Sequence, residues 1–451
     1  MINYTLREIA EITAGELAGD PEIRISGVAF DSRYVVAGNM FVPIIGEKVD
    51  GHSFVSTLFD QGIAASLWSS TTEVEKPEGN LIIVDDVVSA LQKLAKHYRR
   101  QLTNHFVGVT GSSGKTGTKD IIAAMLSAGY KVYKTRGNLN NDIGVPVTIL
   151  NMDEAVDYVV VEMGINDVGV MDRLVDMVEP DITVITSIGP AHIAQLGSLD
   201  GVVEQKCLIN RDLKDGRCFY NAEAYGVENQ LEKMGISSQS TGYGIDKGEV
   251  RATDITLSDK GTAFRVDDFA YEIPLLGRHQ VLNALSAICI GRYAGLSEQQ
   301  IGEALAKVHI APHRLQLKNI RGARIIDDTY NANPLSMAAA LHTLSGYGQG
   351  YRRVAVLGDM LELGETSYQL HKSLIDSVDF HDYDSIVLIG QQISGLADGL
   401  EEQNIPFVRF SGNDQARAYL RKYLTADTVM LFKASNGMHF SALIDSLEED
   451  I

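Results

Sequence analysis

The chain has 451 residues, 45% of them hydrophobic, enough for about three domains with ordinary cores at roughly 150 residues each. A formal net charge of −20 at pH 7 argues against nucleic-acid binding, which needs a basic face. No stretch reaches the roughly 18 apolar residues of a membrane span, and the N-terminus MINYTLREIAEIT is amphipathic and carries acids, unlike a signal peptide, so a cytoplasmic protein without a membrane partner is expected.

Residues 1 to about 103 alternate short helical and strand patterns: LREIAEIT (6–13), ISGVAF (25–30), NMFVPII (39–45), a helix near 53–60, AASLW (64–68), LIIVDD (81–86) and the helical VVSALQKLAKHYRR (87–100). That is a small α/β unit in its own right. Its polar loops, Asp31, Ser32 and Arg33 and then Asp50, Gly51 and His52, consist of ordinary turn residues, and spacing alone leaves turn and binding site equally open.

Chemistry concentrates in residues 104–312. An apolar run (105–109) leads into GVTGSSGKTGTK (108–119) and then an apolar-periodic run, so the order is strand, phosphate loop, helix from near Thr116. Gly111 and Gly114 free the backbone so that successive N–H groups of the stretch Gly111, Ser112, Ser113, Gly114, Lys115, Thr116 and Gly117 can turn toward phosphate, at the positive end of the helix dipole. Lys115 suits the β/γ-phosphates and the Thr116 hydroxyl a Mg²⁺ ion, so ATP or GTP binding is expected, although the strict pattern wants glycine at Val109.

After a strand at 131–134, the loop 135–146 carries Asn138, Asn140 and Asn141, which offer amides to a polar ligand but are equally common in turns. Apolar strands at 157–164 and 181–187 lead to Glu162 and to His192 at carboxyl ends, where open α/β sheets bind ligands, so both are candidates for the nucleotide's Mg²⁺. In the helical pattern 274–288, Asn283 reads by itself as a capping or surface residue. Cys207, Cys218 and Cys289 lack CxxC spacing and fit buried reduced thiols.

From about 313, strands at 324–328, 352–358, 385–390, 407–410 and 428–433 alternate with helical patterns, which predicts a run of βα units and a Rossmann-like open sheet. DDTYNANP (327–334) follows the first strand and GDMLELG (358–364) the second. Neither forms GxGxxG, which disfavours a dinucleotide cofactor.

GVTGSSGKT, NLNNDIGVP, VVVEMG, ITSIGPAHI, GRHQVLNALSA, DDTYNANP, LGDMLELG and LFKASNGM occur in the order seen in the Mur ligases, and the chain resembles that family over essentially its whole length. DDTYNANP and GDMLELG are similar to the members that add a dipeptide rather than a single amino acid. The resemblance implies an α/β protein of three domains: 1–103 for a UDP-sugar, 104–312 as a central P-loop ATPase with a parallel sheet, and 313–451 as a Rossmann-like domain closing over ATP. It implies an ATP- and Mg²⁺-dependent ligase, a monomer, that joins D-Ala-D-Ala to the carboxylate of UDP-MurNAc-tripeptide.

By the same resemblance Lys115, Lys206 and His192 are catalytic, and Thr116, Glu162 and His192 serve the metal. Lys206 would be carbamylated to help hold a second Mg²⁺; without the family it reads as a plain surface lysine. Asn283 and Arg314 match adenine and phosphate contacts. Asp328, Tyr330, Asn331 and Asn333 match the nucleotide and dipeptide neighbourhood, and Asn138, Asn140 and Asn141 lie near substrate and phosphates. Ser32, Arg33, Asp50, Gly51 and His52 match the uridine-nucleotide loops. Three departures stand out: Gly117 where a hydroxyl residue is usual, Leu208 where Glu often follows the lysine by two, and Lys433-Ala434-Ser435-Asn436 in place of KGSR. A single-amino-acid or folylpolyglutamate ligase of the same fold, or a nucleotide-gated regulatory module, are the rival readings.

Overall fold

The computed structural model describes residues 1–46, 48–190, 193–309 and 312–448. Three α/β sheets follow one another along the chain. The first has the order Glu16–Ala18, Leu81–Val84, Ala65–Ser69, Met40–Phe41, Val28–Ala29, with its first pair antiparallel and the others parallel. The strands expected at 25–30 and 39–45 are only two residues long, and the helix expected near 53–60 is a 3₁₀ turn, Gly51–Phe54, running into Val55–Asp60.

Helix Leu6–Thr13 starts on a reciprocal cap between Thr5 and Glu8 and buries Leu6, Ile9, Ala10 and Thr13 along one stripe. Helix Val87–Arg99 starts on Asp86, which accepts from Ser89 N, and buries Val87, Leu91, Leu94 and Tyr98 at helical spacing. Those side chains share one apolar cluster with Ile149, Val159, Leu174 and Val178 of the central unit. At about 1.5–3 kcal/mol per large apolar side chain, this common core fuses the first unit to one face of the central sheet. Arg99 reinforces the seam: Nε and Nη2 donate to Val178 O at 2.7 Å and Glu179 O at 2.8 Å, and the guanidinium lies 3.9 Å over the Phe106 ring.

The central sheet has nine strands, in the order Phe269–Ile273, Gly261–Val266, Val250–Ser258, Ser240–Gly244, Arg217–Asn221, Ile182–Ile185, His105–Thr110, Tyr158–Glu162, Val132–Lys134. Val250–Ser258, Gly261–Val266 and Phe269–Ile273 form an antiparallel meander, and all the other neighbouring pairs are parallel. Tyr158–Glu162 and Ile182–Ile185 are buried at every position, as near-continuous Val/Ile runs between two helical layers must be. Helices Lys115–Leu126 and Arg278–Tyr293 cover the other face through a second cluster containing Ile122, Leu126, Val281 and Ile288.

The third sheet contains all five expected strands, in the order Ala323–Asp328, Thr428–Lys433, Arg352–Gly358, Ser385–Ile389, Val408–Phe410, all parallel, with an added antiparallel edge strand Gln316–Ile320. Apolar clusters pack on both of its faces. All three cysteines are free and buried. Among the described residues no helix is long and apolar enough to cross a membrane.

Candidate active site

Strand His105–Thr110 lies between Ile182–Ile185 and Tyr158–Glu162, so three buried strands present their carboxyl ends side by side. The chain leaves Thr110 through Gly111, at φ +153°, where a Cβ would stand 2.0 Å from Thr186 Oγ1. It enters helix Lys115–Leu126 through Gly114, at φ +84°; the loop closes so tightly because these two positions are glycine. The neighbouring strand end steadies the serines: Ser112 N donates to Ser187 O at 2.8 Å and Ser113 N to Ser187 Oγ at 2.9 Å.

Two lysines converge on one carbonyl. Lys115 Nζ donates to Gly111 O at 2.7 Å, and Lys206 Nζ to the same oxygen at 3.1 Å. Burial lowers the Lys115 pKa, against the raising effect of the Glu162 carboxylate. Lys206 is only 1% exposed, and burial, joined by the charge of Lys115, pushes its amine well below the usual lysine range. Its reading as a plain surface lysine is therefore corrected: a single lysine in a helical pattern does not reveal which strand end covers it.

The Thr116 hydroxyl donates to Glu162 Oε1 at 3.2 Å, and Asn140 Nδ2 donates to the same oxygen at 2.8 Å. Glu162 Oε2 is buried with no hydrogen-bond partner, and the Lys119 ammonium stands 3.7 Å away. A hydroxyl beside a carboxylate with a free oxygen is the hard-oxygen set that Mg²⁺ prefers, so these residues fit that ion. Among the described residues no group of three or more His, Cys, Asp or Glu gathers as a metal cluster. His192 lies outside the described residues.

Helix Arg278–Tyr293 forms the next wall. Asn283 is 7% exposed in mid-helix, its Oδ1 accepting from Thr118 Oγ1 at 3.0 Å and its Nδ2 donating to Gln280 Oε1 at 3.0 Å. The reading of Asn283 as a capping or surface residue is thus corrected: its amide clamps this helix to the phosphate-loop helix. His279 also lines the cavity; its Nδ1 is shielded without a partner, and burial drives its pKa down to about 4.

The third unit supplies the opposite wall. Lys433 Nζ donates to Asp328 Oδ2 at 2.6 Å and to Asn331 O at 3.0 Å, a buried pair joining two strand ends. Arg314 stacks 4.0 Å over the Tyr330 ring, between His313 and Leu315, both in the left-handed region at φ 62° and 51°. Asn333 caps helix Pro334–Tyr347 by accepting from Ser336 N at 2.9 Å.

These groups share one cavity of ≈ 440 Å³. It brings together Ser112 to Gly117, Asn138, Asn140 and Glu162 with Asn283, Arg314, Asp328, Tyr330, Asn331 and Asn333. Gly111 and Lys206, hydrogen-bonded to each other, do not line it. Asn141 does not line it; its side chain accepts from Gly144 N at 2.9 Å at the start of helix Gly144–Leu150. Sequence reasoning assigned no role to His279, Gln280, Lys119 or Lys433. Spacing held the signal for two of them, since Lys119 is one helical turn after Lys115 and Gln280 nearly one before Asn283.

The loops of the first unit lie apart from this cavity. Arg33 forms an exposed ion pair with Asp31 at 2.6 Å, beside Ser32. His52 is buried: its Nδ1 lies 2.6 Å from Asp50 Oδ1, its Nε2 accepts from Ser69 N at 3.0 Å, and its ring meets Trp68 edge-on at 4.8 Å. Accepting at Nε2 fixes the proton on Nδ1.

Fold and site together define a P-loop, nucleotide-dependent class of enzyme built from three α/β units. Residues 24–99 match the model of the Mur ligase family, catalytic domain; residues 109–291 that of the Mur ligase middle domain; and residues 313–436 that of the Mur ligase, glutamate ligase domain. The UDP-N-acetylmuramoyl-tripeptide--D-alanyl-D-alanine ligase of Bacillus subtilis (strain 168) is 36% identical, over 100% of this chain and 99% of that protein. Its Escherichia coli (strain K12) counterpart is 34% identical over 88% of each. A crystal structure of MurF from Acinetobacter baumannii superposes with a TM-score of 0.89 at 30% identity over 99% of each chain. MurF from Thermotoga maritima in complex with ADP does so with a TM-score of 0.81 at 25% identity, covering 94% of this chain and 97% of that one. The chain belongs to the Mur ligase family.

Proposed function

We propose that this chain joins D-alanyl-D-alanine to the terminal carboxylate of UDP-N-acetylmuramoyl-tripeptide at the expense of ATP, giving the pentapeptide precursor of peptidoglycan, ADP and phosphate. The observation that carries this reading is the single cavity in which the phosphate loop faces Arg314, Asp328, Tyr330 and Asn331 of the third unit, in a chain that matches named ligases of this reaction end to end. Residues 1–103 would receive the UDP-sugar, with Ser32, Arg33 and the Asp50–His52 turn at the uridine nucleotide and His52 supporting that turn from beneath. Residues 104–312 hold ATP, and residues 313–451 close over it and bring in the dipeptide. The enzyme works as a monomer in the cytoplasm, where cell-wall precursors for growth and division are made.

The chemistry follows from the charges. A carboxylate has no usable leaving group at neutral pH. One of its oxygens therefore attacks the γ-phosphorus, the bond to the β,γ-bridging oxygen breaks, and ADP leaves an acyl phosphate. The dipeptide amine then attacks the acyl carbon, the carbon–oxygen bond to phosphate breaks, and the amine proton passes to phosphate or solvent. Lys115 and the loop N–H groups hold the transferring phosphoryl group, and Asn138 and Asn140 orient the acceptor. When bound, Mg²⁺ held by Thr116, Glu162 and, by family likeness, His192 supplies charge neutralisation on the phosphates. Burial and the charge of Lys115 lower the basicity of Lys206, which favours the neutral amine, the form that captures CO₂ as a carbamate.

The test is phosphate release from Mg²⁺ and ATP with UDP-MurNAc-tripeptide, with and without D-Ala-D-Ala. Release that needs both substrates is expected. Release indifferent to both would leave only a P-loop ATPase and overturn the reading.

A further inference from the structure

Lys119 belongs to the motif GVTGSSGKTGTK, yet the reaction as described gives it nothing to do. It is among the largest fully buried side chains of the molecule, at 1% exposure. An uncompensated ammonium is costly in such a place, so its partners define why it is tolerated. Nζ donates to Gly137 O at 3.2 Å, at the start of the Asn138–Asn141 loop. It stands 3.6 Å from Asp120 Oδ1 and 3.7 Å from Glu162 Oε2. Asp120 has a closer cation in Lys134, at 2.7 Å. The other carboxylate oxygen, Glu162 Oε1, is taken by Thr116 and Asn140.

The distance to Oε2 is the telling quantity. At 3.7 Å the ammonium is near enough to balance the buried carboxylate but too far for a hydrogen bond, and Oε2 keeps its lone pairs free. A hydrogen-bonded lysine would occupy the oxygen that a divalent cation needs; without the lysine, Oε1 would keep its two donors but Oε2 would lose the cation that stands 3.7 Å from it.

We infer that Lys119 is a positioning residue: an internal counter-cation that holds Glu162 and the asparagine loop ready before metal and nucleotide arrive, and that weakens binding of a divalent cation when no phosphate is present. The metal would therefore be taken up together with the nucleotide rather than ahead of it. The kinetic part of this inference rests on the ligase reading; the metal-binding part does not.

The experiment compares wild type, Lys119→Gln and Lys119→Arg. Glutamine keeps a donor for Gly137 O and removes the charge. Binding of Mn²⁺ alone is followed by loss of the free-ion EPR signal, and ligation by kcat and KM. Lys119→Gln is expected to bind Mn²⁺ at least about tenfold more tightly than wild type without nucleotide, the low end of the Coulomb effect of one removed charge at this range. Its kcat should fall about tenfold while KM for ATP stays within about threefold. Lys119→Arg should bind Mn²⁺ as wild type does. A folded Lys119→Gln with unchanged or weaker Mn²⁺ binding overturns the inference, because a merely structural strut would move stability and metal affinity down together. If Lys119→Gln does not fold, Lys119→Arg carries the test: wild-type Mn²⁺ affinity supports the role and tightened binding overturns it. Tightened Mn²⁺ binding in Lys119→Gln, from a wild type that ligates nothing, would leave Lys119 in place and remove the ligase reading instead.

Discussion

The phosphate cradle and the polar loops of the first unit use the same kinds of residue in opposite ways. In the cradle charges are buried and under-satisfied: Lys115 and Lys206 share one carbonyl, and Glu162 Oε2 has no hydrogen-bond partner. In the first unit the polar groups satisfy one another, Arg33 with Asp31 and Asp50 with His52 and Thr72. Unpaired buried polar groups cost folding free energy, so a fold keeps them only where something else completes them. On the function proposed above, a ligand completes the cradle. The loops are completed by their own chain.

The largest expected effect comes from breaking the cradle. Lys115→Ala should lower phosphate release by about a thousandfold or more, the scale of losing a charged donor to a transferring phosphoryl group. Thermal stability should barely change, because Gly111 O keeps Lys206 as a donor at 3.1 Å and a costly buried cation is removed. A variant that retained ligation would sink the assignment of the loop. One that lost its fold along with its activity would show that the cradle, like the loops, is completed internally.

The reverse pattern is expected at His52. In His52→Ala the Ser69 N–H loses its partner and Trp68 its edge contact, at a cost of about 2–4 kcal/mol by urea unfolding. KM for ATP should not move, and KM for the UDP-linked substrate should rise through the loosened turn. Burial works to raise the Asp50 pKa, but hydrogen bonds from the His52 backbone and ring and from Thr72 outweigh it and hold the carboxyl below its ordinary value. A depressed carboxyl contributes stability that is present above its unfolded pKa of about 3.9 and is lost as pH falls through the folded value. The acid end of the stability curve, below about pH 4, should therefore flatten in the variant. A larger loss in kcat than in stability would place His52 in the reacting site and erase the contrast.

The same contrast explains what could be read in advance. Strands such as Tyr158–Glu162 and Arg352–Gly358 were legible because apolar runs flanked by helices have few other solutions, and the phosphate loop was legible because glycines before Lys-Thr serve few other ends. The meander from Val250 to Ile273 was not: Val250–Ser258 is largely exposed, and a register shift between Thr253 and Thr256 breaks its alternation. Lys206 and Asn283 lie in helices whose pattern shows neither their burial nor what stands across from them, and only the family resemblance marked them. Lys119 was in plain view one turn after Lys115, but its meaning depends on Glu162, 43 residues further along the chain.

The smallest effect, and the finest test of how tightly the cradle is built, is expected at Gly117. By the family likeness a hydroxyl residue is expected where this chain has glycine, at the third position of helix Lys115–Leu126. A Cβ there would approach Asn283 Nδ2 to 3.3 Å and Gln280 Oε1 to 3.9 Å, close but bearable if the Asn283 amide gives by a few tenths of an ångström. At Gly111 the same carbon would be 2.0 Å from Thr186 Oγ1, so two glycines of one loop are not equivalent. In Gly117→Ala the helix gains about 0.5–1 kcal/mol from lost chain freedom, and the crowded amide returns part of it. Net stability should stay within about 1 kcal/mol of wild type, with KM for ATP raised less than about threefold and kcat unchanged. If KM instead rose by tenfold or more, the Asn283 amide would be as tightly fixed as Gly111, and the second helix would have to be counted as part of the phosphate cradle rather than its neighbour.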